Sequence, residues 1–202
     1  MRRPRTAGMS EEVLVPSARD VRGTLDASDA DRCVVACPPH PEMGGSRTDR
    51  TLRAVSDAVD CACLRFDYGA WDGGDGELSD VRDALAWARD RHASAALFGY
   101  SFGGCLALAA AAAESRAGRP PAAVGVLAPA ANLDGGVDAV RAVGDVDCPV
   151  GIVYGERDTT VDAEAVAERV RARDGLVAAV GADHFFVGQD ETVADRLAPL
   201  LC

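Results

Sequence analysis

The sequence predicts an α/β fold, a mostly parallel sheet with helices packed on both faces, and two observations carry that expectation. From Arg32 onward, short apolar segments alternate with segments of helical periodicity, which places a helix between successive parallel strands. The 202 residues, 48% hydrophobic and 26% charged, suit one domain that buries its own core.

The elements follow in order. Residues 1–8 (MRRPRTAG) are basic and broken by proline, so a disordered tail is expected, with Met9 as a candidate start and residues 9–202 as a single domain. A short strand from Val13, a turn around Asp20 and a second strand near 21–25 read as an antiparallel hairpin at a sheet edge. Residues 32–37 form a compact apolar strand that opens into the loop PPHPEMGG. Leu52, Val55 and Val59 have the spacing of a helix over 50–59. Residues 61–66 are the next strand, with DYGAWDGGDG as its exit loop, and Leu78, Val81, Leu85 and Ala88 mark a second amphipathic helix. A buried strand over 95–98 runs into GYSFGG and an Ala-rich helix that reaches about Arg116. Gly118 is placed to cap that helix, and Pro120 and Pro121 cannot continue it. Strands at 124–127 and 150–154 enclose at most one brief helix near 137–143. A helix at 163–172, a last strand at 177–180 and a closing helix at 191–200 complete the chain.

Charge and cysteine usage bound the partners. The net charge is −11, a field that repels phosphate backbones and anionic lipid heads, so nucleic acid and membrane surfaces are set aside as partners. No apolar run reaches the roughly 18 residues of a membrane-spanning helix. All 21 basic residues are Arg, and Asp outnumbers Glu. A GC-rich genome explains the Arg bias. The acid excess favours a halophilic cytoplasm, where molar salt shortens the Debye length to about 3 Å and removes the self-repulsion. Seven Cys with no secretory apolar segment ahead of them suggest that most are small buried hydrophobes in a reducing cytosol. Cys33 and Cys37 lie four residues apart on one strand, roughly 13 Å between Cα atoms, too far to share a tetrahedral ion. No metal and no other cofactor is expected, and the oligomeric state is open.

The chemistry concentrates on Gly99-Tyr100-Ser101-Phe102-Gly103, a GxSxG between a strand and a helix. A sharp turn there holds a serine hydroxyl above the sheet, and the helix start offers the Phe102 N–H to an oxyanion. Such a serine needs a base, and the chain has three histidines. His92 lies among Arg89, Asp90 and Arg91 and reads as solvated surface. His40 sits in the proline-rich loop ahead of the serine. His184, in GADHFF just after the last strand, is at the carboxyl edge of the sheet and is the expected base. Asp158, in YGERD after the preceding strand, is the expected orienting acid, and Asp183 is expected to point elsewhere. The order Ser101, Asp158, His184 is the one an α/β-hydrolase carries.

With these residues and the His40-Pro41…Gly44-Gly45 loop, the chain resembles a small α/β-hydrolase of the dienelactone-hydrolase-like group, in the branch with an HPHPxxGG loop. The resemblance covers nearly everything from Val13 to Leu200. It implies a sheet of about eight strands, a serine nucleophile and ester hydrolysis. Three departures accompany it: Pro38 replaces the first His of HPHP, the segment beginning Arg65-Phe66-Asp67 is shortened, and the nucleophile is Ser101 where dienelactone hydrolases use cysteine. Dienelactone is therefore not the expected substrate. By position after His40-Pro41, the Glu42 N–H is expected to join that of Phe102 in the oxyanion hole. His40 and Trp71 are placed at the substrate, Trp71 either as a wall of the acyl pocket or as a cap on the core. Tyr100 and Phe102 side chains are expected to pack against the sheet. Residues 128–147 are too few for a lid domain, so the site should be open to water and suited to short-chain or soluble esters and thioesters. The alternative is a non-catalytic protein of the same fold that binds a partner or ligand through the cleft.

Overall fold

The computed structural model describes residues 10–202, so the expectations for residues 1–8 and for Met9 lie outside the described residues. Among these, eight strands form one sheet: β1 (Glu11–Val15), β2 (Val21–Asp26), β3 (Arg32–Cys37), β4 (Ala62–Asp67), β5 (Ser94–Tyr100), β6 (Val124–Leu127), β7 (Val150–Gly155) and β8 (Leu176–Val180). The helices are α1 (Arg50–Ala58), α2 (Asp75–Arg89), α3 (Phe102–Arg116), α4 (Ala139–Gly144), α5 (Ala163–Arg171) and α6 (Asp190–Leu201). The strand order is β1-β2-β4-β3-β5-β6-β7-β8, with the β1–β2 and β2–β4 pairs antiparallel and every other pair parallel.

Period-two alternation decides which layer each strand residue joins. On β5, Ala95 and Leu97 face the layer of α2, α3, α4 and α5, while Ala96, Phe98 and Tyr100 face α1 and α6. Both faces are covered, and accordingly β5, β6 and β7 read as nearly continuous apolar runs. Local sequence sets the helix ends. Asp49 caps α1 by accepting from the Thr51 and Leu52 N–H groups (2.9 and 3.2 Å). Gly118, at φ 70°, closes α3, and the Arg119 N–H returns to the Glu114 carbonyl.

Most cysteines are buried thiols as expected, but two are cross-linked, and the expectation for His92 is corrected. Cys61, just ahead of β4, and Cys202, just past α6, form a disulfide with Cα atoms 6.3 Å apart. Their separation of 141 residues leaves no local spacing signal, and only the packing of α6 beside α1 brings them together. The other five, Cys33, Cys37, Cys63, Cys105 and Cys148, are buried thiols. His92 is not on the surface but 7% exposed. Beyond α2 the chain turns inward, its N–H bonding the Ala88 carbonyl, and the ring Nδ1 lies 2.8 Å from the Ala30 carbonyl. Among the described residues no helix is long and apolar enough to cross a membrane.

Candidate active site

Ser101 sits at φ 54°, ψ −116°, between the end of β5 and the first residue of α3. A positive φ on a side chain other than glycine costs on the order of 1–3 kcal/mol and persists only where the surroundings enforce it. Here glycines permit the close approach. A Cβ on Gly99 would run into the Gly103 carbonyl, and one on Gly103 into the carbonyls of Cys37 and Pro38. The turn thus presents the serine hydroxyl at the carboxyl edge of the sheet and aims the first N–H groups of α3 out of the helix end.

Two loops at the same edge bring His184 and Asp158 to it. Ser101 Oγ is 3.0 Å from His184 Nε2, and His184 Nδ1 is 2.8 Å from Asp158 Oδ2. A carboxylate only accepts, so Nδ1 carries the proton toward Asp158 and Nε2 is left to accept from Ser101. The other carboxylate oxygen of Asp158 accepts from the Thr160 and Val161 N–H groups (2.8 and 3.3 Å), which fixes its rotamer. Asp183 is turned to its own loop, where Oδ1 accepts from the Phe185 N–H at 3.0 Å.

The His184 loop has its own anchors. The Tyr100 hydroxyl donates to the His184 carbonyl at 2.7 Å. Phe186, at φ 46° and fully buried, plugs the apolar layer below and meets Tyr100 edge-on at 6.4 Å. Sequence reasoning missed both roles, because no local pattern shows a tyrosine reaching a carbonyl 84 residues away. Burial, joined by the surrounding carboxylates of Asp49, Asp158, Asp190 and Asp183, pushes the Tyr100 phenol up from its ordinary value, so it remains a donor. Cys105, one turn into α3, is buried, and that burial pushes its thiol up to about 12, away from the thiolate form a nucleophile needs.

On the other side of Ser101 lies an aromatic group. The His40 ring is 4.4 Å from Trp71 and 4.9 Å from Phe102, and Phe102 meets Trp71 at 5.7 Å and Tyr68 edge-on at 5.7 Å. His40 is thus placed with Trp71 and not with Asp158. Phe102 packs into this group as well as onto the sheet, and Trp71 stays 40% exposed above it. The Glu42 N–H, expected at the oxyanion, donates to His40 Nδ1 at 3.3 Å. That bond caps the short 3-10 turn Pro41–Met43 and engages the amide within its own loop. Between residues 38 and 42 only one other N–H exists, that of His40, since the rest are prolines; among the described residues it has no hydrogen-bond acceptor.

Comparison with known proteins bears on the fold. A thioesterase-domain family model matches residues 78–142, which include the Ser101 turn and neither Asp158 nor His184. A search of curated proteins finds no match. Among solved structures, an α/β serine hydrolase homologue from Coxiella burnetii superposes with a TM-score of 0.78 at 22% identity, over 98% of this chain and 99% of that one. A lidless α/β serine hydrolase from Xanthomonas campestris gives 0.74 at 23% identity, over 98% of both chains. Est1E from Butyrivibrio proteoclasticus gives 0.76 at 18% identity, over 96% of this chain and 97% of that one. The chain has the α/β-hydrolase fold, and among the described residues only α4 and loop separate β6 from β7, so no lid domain covers the sheet edge.

Proposed function

We propose that the protein is a serine hydrolase that cleaves small carboxylic esters or thioesters through an acyl-enzyme, with Ser101, His184 and Asp158 as its catalytic residues. The single observation that carries this is the continuous Ser101–His184–Asp158 chain, at 3.0 and 2.8 Å, on a strained strand-to-helix turn. His184 Nε2 takes the Ser101 proton as Oγ bonds to the substrate carbonyl carbon. The tetrahedral oxyanion collapses, the bond to the leaving oxygen or sulfur breaks, and His184 returns the proton to that leaving group. Water then repeats the sequence: it gives its proton to His184, attacks the acyl carbon and releases Ser101. Asp158 holds the imidazole in its tautomer and stabilises the transient imidazolium without taking the proton.

For the oxyanion we assign the Phe102 N–H and, in place of Glu42, the N–H of His40, because the Glu42 amide is already engaged. The aromatic group of His40, Trp71 and Phe102 is read as the acyl side of the pocket. With exposed Met43, Phe185 and Val187 on the neighbouring loops and no lid domain, substrates of modest size and apolar character fit best. The thioesterase-domain match keeps thioesters beside esters. The −11 net charge argues for uncharged acyl donors over polyanionic ones.

Turnover of p-nitrophenyl butyrate and of an uncharged thioester, by wild type and by Ser101→Ala, His184→Ala and the double variant, tests this. Each single change should remove on the order of 10³-fold or more of kcat, and the double variant should lose no more than the worse single, because the residues act as a unit. Folded wild-type protein inert toward every ester and thioester would instead support a binding protein of this fold.

A further inference from the structure

A second concentration of buried charge lies away from Ser101, on the side of the fold that carries Trp71. Glu77 and Asp80 on α2 have fully buried side chains, and Arg19, from the turn between β1 and β2, lies against both with 20% of its side chain exposed. Arg19 Nη2 donates to Glu77 Oε1 at 3.0 Å and to the Ala70 carbonyl. Its Nε donates to Asp80 Oδ2 at 3.1 Å, and Nη1 stands 3.6 Å from Asp72 Oδ2. The same carboxylates grip the loop backbone. The Asp72 and Gly74 N–H groups donate to Glu77 (2.9 and 2.7 Å), and the Gly69 N–H donates to Asp80 at 2.9 Å.

The arrangement is built around the arginine. A Cβ on Gly69 would stand 2.9 Å from Arg19 Cβ, and one on Gly76 would overlap the guanidinium. Ser17 fixes the base of the side chain, accepting from the Arg19 N–H at 2.9 Å and donating to its carbonyl at 2.6 Å. The loop so held contains Gly69, Gly73 and Gly74, the last two at positive φ, a composition with large conformational freedom of its own. Trp71 sits at its middle, and its ring contacts are with His40 and Phe102 beside the nucleophile.

We propose that Arg19, clamped between Glu77 and Asp80, is a positioning residue that sets substrate specificity: it holds loop 69–74 so that Trp71 stands as the acyl-side wall of the pocket. The planar guanidinium reaches Asp80 from Nε and Glu77 and the Ala70 carbonyl from Nη2, donors on separate nitrogens in a fixed plane, whereas lysine offers one compact ammonium nitrogen, so lysine is not equivalent here. The consequence for turnover rests on the serine-hydrolase reading, whereas the placement of Trp71 does not.

The test uses Trp87→Phe protein, in which Trp71 is the sole tryptophan, with Arg19→Gln added. Because Arg19→Gln leaves two buried carboxylates uncompensated, a neutral variant, Arg19→Met with Glu77→Gln and Asp80→Asn, is carried beside it. Either variant should shift Trp71 emission to the red and raise its quenching by acrylamide. The KM for p-nitrophenyl butyrate should rise about tenfold, with kcat per phosphonate-titrated site within about twofold and the change for the acetate ester smaller. Arg19→Lys should leave most of the defect in place. Unmoved Trp71 emission in the folded neutral variant, or a loss of activity that merely follows the loss of titratable sites, overturns the proposal. If wild type neither reacts with phosphonate nor hydrolyses esters, the hydrolase reading falls, and the emission and quenching of Trp71 still decide whether Arg19 places it.

Discussion

Ser101 could be read from the sequence because a strained turn has to be written locally: glycines at 99 and 103, a strand before and a helix after. Asp158 and His184 were legible from chain order and strand-end position, and the structure places both in contact with Ser101 or its partner. What stayed hidden at this scale is the support. Tyr100 bonding the His184 carbonyl, Phe186 anchoring the loop and Glu42 turning to His40 each depend on a backbone path that no short pattern records. The same holds for Asp26, which gathers Arg65 Nε (2.8 Å), Ser10 Oγ (2.7 Å) and Ser56 Oγ (2.7 Å) where β2 meets β4. Burial alone would raise the Asp26 carboxyl, but the bonds from Arg65, Ser10 and Ser56 outweigh it and hold the group below its ordinary 3.8. A depressed folded value means stability that is fully present above the unfolded value and lost as pH falls through the folded one. Asp26→Asn should therefore lower stability by about 2 kcal/mol at pH 7. The gap to wild type should close as pH falls below the ordinary carboxylate value of 3.8 and through the lower folded one. Melting curves across that range check it, and a gap independent of pH would remove the carboxylate from the explanation.

At the level of elements, the alternation of periods two and 3.6 located the strands and helices of the described chain to within a few residues, down to the short α4. The strand order of the antiparallel edge was not legible, since β2 pairs with β4 across more than thirty residues and nothing local selects that partner. His92 misled for a related reason. Its charged neighbours marked a surface, while the chain reversal after α2 folds this one side chain inward. The Cys61–Cys202 bond is the clearest case of information held only in three dimensions, and it ties α6 to the start of β4. Closing so long a loop restricts the unfolded chain, with a chain-entropy estimate of about 4–5 kcal/mol and measured values that are often less. Reduction with dithiothreitol, or Cys202→Ser, should lower the melting temperature by roughly 5 °C or more. Because α6 does not carry His184, ester turnover at 25 °C should change little. A melting temperature indifferent to reductant would show that the cross-link contributes nothing to the fold.

Over the whole molecule, the charge of −11 and the absence of Lys describe a surface whose self-repulsion depends on the solvent. Many arginines are committed to particular acids, as in Arg47 with Glu12 and Asp67, Arg89 with Glu114, and Arg116 with Asp145. The unpaired excess remains acidic. At 0.01 M salt the Debye length is about 30 Å and most of that surface interacts, whereas at 1 M it is about 3 Å and only contacting pairs do. The melting temperature should rise steeply over the first few tenths molar KCl and then level, with any further gain shared by an excluded osmolyte acting on apolar surface. A flat profile to 2 M would leave genome composition as the whole explanation of the Arg-only sequence. Labelling of the folded protein with a fluorophosphonate, read by intact mass and peptide mapping, reports the chemistry of Ser101 with no assumption about substrate. A serine nucleophile activated by His184 should take up one phosphonyl group per chain, mapped to Ser101, with labelling abolished in Ser101→Ala and slowed at least a hundredfold in His184→Ala. Unmodified protein, or label on any other residue, would contradict it.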